Sequence, residues 1–190
     1  MKSARTQPSV ALYPRIVGTA WADLSEPVQQ FHLFQKQWRG TGLFTIRHGS
    51  GVLARLLVWL MRLPAEGDDV PVELVVDANE NGEQWNRKFA GRPFITKQSE
   101  RAGGFMAERI GLTEILYRLT VKDRALCYEQ VSAALRLGRL RLPLPRLFAP
   151  KIAAREWAAP DGRGVYVSVE VRAPLAGLLI HYQGNIVSEE

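Results

Sequence analysis

The sequence predicts an α+β fold in which a strongly curved antiparallel β-sheet, or a partly open β-barrel, wraps around one or two helices. Three observations predict it. From Val70 onward the chain is a succession of alternating apolar and polar runs separated by Gly and Asn-Gly or Asp-Gly turns. The two helix-like segments both lie near the front. One of them, Gly51 to Leu63, is apolar except for Gly51, Arg55 and Arg62, so it needs a cover over nearly its whole circumference.

Residues 1–10 read as a flexible N-terminus and residues 11–190 as one domain, a size that can bury a sizeable core. The first helix is expected over Leu24 to Trp38, with Ser25 as N-cap, Pro27 in the first turn, Gly40 beyond its end, and Leu24, Val28, Phe31, Phe34 and Trp38 as its apolar stripe. His32 stands one residue off that stripe, either as a partly buried histidine with a local hydrogen bond or as a polar group at a pocket rim. Thr41 to His48 is a strand. Gly51 to Leu63 follows as a second helix behind Ser50, ended by Pro64. At about 1.5 Å per residue it covers roughly 20 Å, short of the roughly 30 Å of a bilayer core, and burial by strands is the expected solution.

Val70 to Asp77 and Glu83 to Phe89 form a hairpin about Asn81-Gly82. Trp85, Arg87 and Phe89 share one face of its second strand, placing a cation between two rings. Phe94 to Gln98, Phe105 to Ile110 and Glu114 to Lys122 continue the sheet. Ala125 to Leu137 fits either helix or strand and is assigned as a strand on the alternation of Cys127, Glu129, Val131, Ala133 and Leu135. Leu135 to Pro150 alternates leucine with arginine and then proline; its three prolines exclude a central strand, and an extended edge with leucines inward is expected. Lys151 to Trp157, Val165 to Arg172 and Leu178 to Val187 complete the sheet, with Val165, Val167, Val169 and Val171 facing the core.

Composition restricts function more than it identifies it. The chain is 46% apolar and 23% charged with a net charge of +6, which suits a globular protein with some affinity for anionic surfaces. One cysteine, Cys127, read as a small buried hydrophobe, permits no internal disulfide, and three histidines show no metal-ligand spacing, so no metal and no cofactor is expected. The N-terminus lacks an apolar stretch of signal-peptide length, which makes cytoplasmic placement the default. Phe148 is the only aromatic in the basic Leu135 to Pro150 stretch, which argues against nucleic-acid binding.

The run Trp85, Arg87, Phe89, Gly91-Arg92, Phe94, then Glu108-Arg109-Ile110-Gly111, Leu142-Pro143-Leu144-Pro145, Pro150, Glu156, Pro174, Gly177, Tyr182 and Gly184 resembles the bacterial family called domain of unknown function 4166, from Leu12 to the end. The resemblance implies a domain found alone or appended to a saccharopine-dehydrogenase-like or epimerase-like NAD(P)-binding reductase, with no established activity. Here Gly40-Thr41-Gly42 precedes a strand and Gly49-Ser50-Gly51 lacks a βαβ context, so no dinucleotide fingerprint is present and a reductase would be a separate polypeptide.

Acid/base candidates are His32, Glu108, Glu156, His181 and Tyr182, with no diagnostic spacing between them; His32 and Glu156 are the pair carried forward as catalytic candidates. For Glu156 a buried ion pair with Arg92 or Arg109 is the simpler expectation. The leading functional expectation is a non-catalytic domain that binds an apolar or lipid-like small molecule between helix and sheet, with Trp59, Trp85, Arg92, Arg109, His181 and Tyr182 as ligand-binding candidates. The alternatives are an accessory or enzyme domain working with a separate NAD(P)-dependent reductase on a hydrophobic substrate, and a peripheral module docking on an anionic membrane or a partner through Leu135 to Pro150. Oligomeric state is left open.

Overall fold

A computed structural model describes residues 11–34 and 36–189; the loose N-terminus expected over residues 1–10 lies outside the described residues. The chain starts with α1 (Leu12–Val17), a 3₁₀ turn (Gly18–Asp23) and α2 (Glu26–His32). It continues with β1 (Gln37–His48), α3 (Val52–Leu60), β2 (Gly67–Asn79), β3 (Gly82–Phe89), β4 (Arg92–Arg101), β5 (Phe105–Ile110), β6 (Thr113–Lys122) and β7 (Ala125–Leu137). The last strands are β8 (Leu140–Pro143), β9 (Lys151–Ala158), β10 (Val165–Ala173) and β11 (Gly177–Ser188).

The strands form one antiparallel sheet that closes on itself. β1 to β7 pair in chain order, β9 pairs with both β7 and β10, and β11 returns to β1. Leaving out β8, which pairs only with the outer half of β7, ten strands complete a barrel. Closure removes the open edges that a curved sheet would expose, so the expected partly open barrel is a closed one. Along each strand alternate residues point inward. Phe44 and Ile46, then Val72, Leu74 and Val76, and Ile180 and Ile186 are buried core residues on β1, β2 and β11. Gly184 leaves room for the Phe44 ring, which a Cβ at that position would strike.

The helices occupy the two ends of the barrel, and neither end matches the expectation of a helix gripped along its length. At the lower end α1 and α2 form a plug: Tyr13, Phe31 and His32 are buried, and Phe31 packs edge-on against Trp85 with ring centroids 5.7 Å apart. α2 stops at His32, six residues before Trp38. The pairing of Trp38 with Val76 draws Gln37 and Trp38 into β1, and this ladder outweighs the local helical period. Trp38 still meets Phe31, with ring centroids 4.7 Å apart, so the stripe residues touch through a bend in the chain.

α3 lies outside the barrel at the upper end. Only Ala54 is buried, while Val52, Leu53, Leu56, Trp59 and Leu60 are exposed. The helix packs on β11 and β1 through its one buried residue, Ala54, which sits close against Gly49, and it does not enter the interior. Neither Ser50 nor Ser25 makes a capping hydrogen bond; Gly51 is the N-cap of α3. The exit from α3 is fastened by His48, whose ring Nε2 lies 2.8 Å from the Pro64 carbonyl and whose backbone N–H donates to Glu66 at 2.7 Å.

The β7–β8 hairpin also departs from expectation. Where β7 leaves the barrel there is no core beneath it, so Leu137, Leu140 and Leu142 are exposed rather than inward. Arg136 and Arg141 turn instead to Glu114 on β6, which Arg101 of β4 also reaches. Cys127 lies on the outer face of β7 and is half-buried.

Candidate functional site

Between the two ends the barrel holds a cavity of about 110 Å³. A single water requires roughly 10–15 Å³ on that scale, so the space suits a small organic molecule or one segment of a chain. Its walls are apolar: Phe44, Phe89 and Phe94 on one side, Ile152, Val167 and Val169 on the other, with Met61, Leu63 and Pro64 at the end under α3. The strand residues among them come inward by strand parity, and β10 presents its valines as the alternation requires.

Polar side chains gather on part of this wall: Arg87, Gln98, Glu108, Tyr117, Tyr128, Glu156 and Tyr182. Arg87 comes from β3, between Trp85 and Phe89. Its Nη1 donates to Thr96 Oγ1 at 3.0 Å and its Cζ lies 4.8 Å from the centre of the Trp85 ring. None of the ion pairs among the described residues includes Arg87. A guanidinium has five N–H donors, and one within an apolar wall is stabilised by a hydrogen-bond acceptor or an anion. Burial pushes the Tyr182 hydroxyl up to about 12, an effect that Arg87 partly offsets. Burial, reinforced by Glu108, also raises Tyr117 well above its ordinary value, so both remain neutral hydroxyl donors at physiological pH.

Beneath this wall a hydrogen-bonded chain joins the plug to the barrel. His32 Nε2 lies 2.7 Å from Glu156 Oε2. Tyr128 Oη donates to Glu156 Oε1 at 2.8 Å and stands 3.1 Å from Tyr13 Oη. Tyr13 Oη donates to Gln98 Oε1 at 2.7 Å, and Gln98 Nε2 donates to Glu108 Oε1 at 3.3 Å. The His32 ring stacks on Tyr13 with centroids 3.7 Å apart. Burial, reinforced by Glu156, raises Tyr13 and Tyr128 well above their ordinary values. Burial likewise raises Glu83, whose Oε2 accepts from Trp85 Nε1 at 3.0 Å while its Oε1 and the Nδ1 of His32 are buried without partners.

The structure thus brings His32 and Glu156 into direct contact across 124 residues. Glu156 pairs with His32 and Tyr128; neither Arg92 nor Arg109 reaches it. Glu156 lines the cavity, whereas His32 is fully buried behind it. Of the six ligand-binding candidates, Trp85 and Tyr182 line the cavity. The other four do not. Arg109 alternates with the inward Glu108, and His181 with the inward Tyr182, so both lie on the outer face, where His181 Nε2 is 3.1 Å from Ser168 Oγ. Arg92 is exposed at the β3–β4 turn, and Trp59 is 74% exposed on α3. Sequence reasoning passed over Arg87, Gln98, Tyr117 and Tyr128 as ligand-facing groups, although Arg87 between two aromatic residues on one strand face was the available signal.

Among the described residues no group of three or more His, Cys, Asp or Glu side chains could hold a metal ion, and no helix is long and apolar enough to cross a membrane. A search of curated proteins and a search of solved structures each returned no match. Residues 24–186 match a family described as a domain of unknown function, and this chain, which folds as an antiparallel β-barrel, belongs to that family, DUF4166.

Proposed function

We propose that the protein is a non-catalytic carrier of an apolar, lipid-like molecule whose polar end accepts hydrogen bonds from Arg87 and Tyr182. The observation that carries this reading is an apolar cavity in which an arginine without a carboxylate partner faces the interior. Ligand sites commonly combine apolar walls with a few convergent polar groups that fix orientation. A carboxylate end group matches the forked geometry of a guanidinium and is the ligand chemistry we favour. Trp85 supplies the ring that holds Arg87 in place, and the cavity face of β10 supplies the contact for the apolar part.

The contact between His32 and Glu156 gives a catalytic reading its only specific support, but the burial of His32 leaves its ring no route to a substrate. A structural role, fastening the plug, accounts for the same distances. The test is native mass spectrometry of the purified protein, followed by organic extraction and titration with a fluorescent long-chain fatty acid. Bound acyl mass or saturable uptake is expected, weakened about tenfold by Arg87→Leu, the loss expected for a charge-assisted hydrogen bond. A chain that is free of ligand and takes up no probe refutes the proposal.

A further inference from the structure

The α3 end of the barrel concentrates exposed apolar groups. Antiparallel order places α3, the β5–β6 turn, the β7–β8 hairpin, the loop over residues 144–150 and the β10–β11 turn at this same end. Thirteen of the eighteen large hydrophobic residues exposed among the described residues lie there, including Trp59 at 74%, Phe148 at 67% and Leu175 at 84%. Single exposed hydrophobics need no explanation, but a collection gathered at one end of a small barrel does. The cations are gathered there too. Arg55, Arg62, Arg92, Arg139, Arg146 and Lys151 are exposed, and none takes part in an ion pair among the described residues. Of the carboxylates at the start of β2, Glu66 accepts from the His48 backbone, Asp68 pairs with Arg47, and Asp69 is exposed with no ion pair among the described residues, so the cations at this end outnumber the unpaired acids.

We infer that this end of the barrel docks on an anionic phospholipid surface, with Trp59, Leu60, Phe148 and Leu175 entering the interface and the surrounding arginines meeting lipid phosphates. Charge complementarity selects this occupant. A second copy of the chain docked through the same face would bring the arginine sets together, an arrangement that like charges oppose. Leucines offer nothing to a nucleic-acid backbone, whereas the boundary of a bilayer accepts leucines and tryptophans and holds arginines at phosphate level. The surface is also continuous with the cavity. Met61 and Leu63 line it, directly after the exposed Trp59 and Leu60. Docking therefore sets the mouth of the barrel against the membrane from which an apolar ligand would be loaded. The loading role rests on the carrier reading above; the docking does not.

Flotation with vesicles of phosphatidylcholine, alone or mixed with phosphatidylglycerol, tests it. The protein is expected to float only with the anionic vesicles, and less at higher salt as the charges are screened. Arg139→Gln with Arg146→Gln should lower binding by roughly thirtyfold, since each surface cation contributes about fivefold. Trp59→Ser with Leu60→Ser should lower it as well while fatty-acid uptake from solution persists, which shows that the exposed helix face is changed in a folded barrel. Absence of flotation, equal flotation with neutral vesicles, or binding unchanged in both double variants overturns the inference. A dimer abolished by Trp59→Ser with Leu60→Ser overturns it in favour of a second copy. Flotation by a protein that takes up no fatty acid leaves docking standing and removes the carrier reading, whereas uptake without flotation does the reverse.

Discussion

Removing His32 tests whether the plug is held by its contact with Glu156. In His32→Leu the carboxylate, 7% exposed and 2.7 Å from the lost ring nitrogen, keeps only the Tyr128 hydroxyl. Leaving a buried carboxyl group without one of its hydrogen-bond partners costs about 1–3 kcal/mol. The variant also loses the stacking on Tyr13, where ring pairs contribute about 0.5–1.5 kcal/mol beyond area, while leucine restores much of the apolar volume. A loss of about 3 kcal/mol is therefore expected, a large share of the roughly 5–15 kcal/mol available to a domain. For a chain of this size it corresponds to a fall in Tm of about 6–12 °C. Glu156→Leu should cost a similar amount, because it strands both His32 and Tyr128. The combination should cost far less than the sum, since replacing both members of a buried pair by apolar groups is often nearly neutral. Urea unfolding of the wild type, both single variants and the double variant measures this, with hydrogen exchange over residues 11–34 reporting on the plug. A single-variant loss below about 1 kcal/mol, or strict additivity, refutes the claim that this contact fastens the plug.

Three further outcomes are expected. Burial raises the Glu83 carboxyl above its ordinary value of 4.5, so the folded state holds its proton more tightly than the unfolded chain; its contribution is present below 4.5 and lost as pH rises through the raised value, and Glu83→Gln should gain urea resistance over the wild type from pH 5 to pH 8. Burial alone would raise Glu114, but hydrogen bonds from Arg141 and Arg101 outweigh it and hold the carboxyl low; its stabilisation is present above the unfolded value and lost as pH falls, and Glu114→Gln should speed hydrogen exchange in the β7–β8 hairpin at neutral pH but make little difference at pH 3. Val169→Phe should fill part of the cavity, cutting fatty-acid uptake at least tenfold with a Tm change of a few degrees, as differential scanning and probe titration would show.

Strand positions were legible because turn chemistry and period-2 alternation are local. Asn81-Gly82, Gly103-Gly104 and Asp161-Gly162 each mark a chain reversal, and Ala125 to Leu137, ambiguous by composition, is a strand because both its edges find partners. The site was less legible for a physical reason. Alternation says that Glu108 and Arg109, or His181 and Tyr182, lie on opposite faces, but not which face is inside. That choice is made by closure, which sets Glu108 opposite Gln98 and Tyr182 opposite Val169 around one interior. The predicted helix to Trp38 failed because a ladder with β2 competed for the same residues.

The amino-acid sequence by itself determined the antiparallel sheet, the inward valines of β10, the apolar character of α3 and the gathering of arginine around Leu135 to Pro150. Only the tertiary structure decided that the sheet closes through β6 with β7, and that α3 lies outside with Leu53, Leu56 and Leu60 exposed. It also decided that His32, Glu156, Tyr128, Tyr13 and Gln98 join in one buried chain. Hydrophobicity and alternation act over a few residues, whereas closure and buried polar pairing depend on which distant segments meet, a choice made by the packing of the whole barrel.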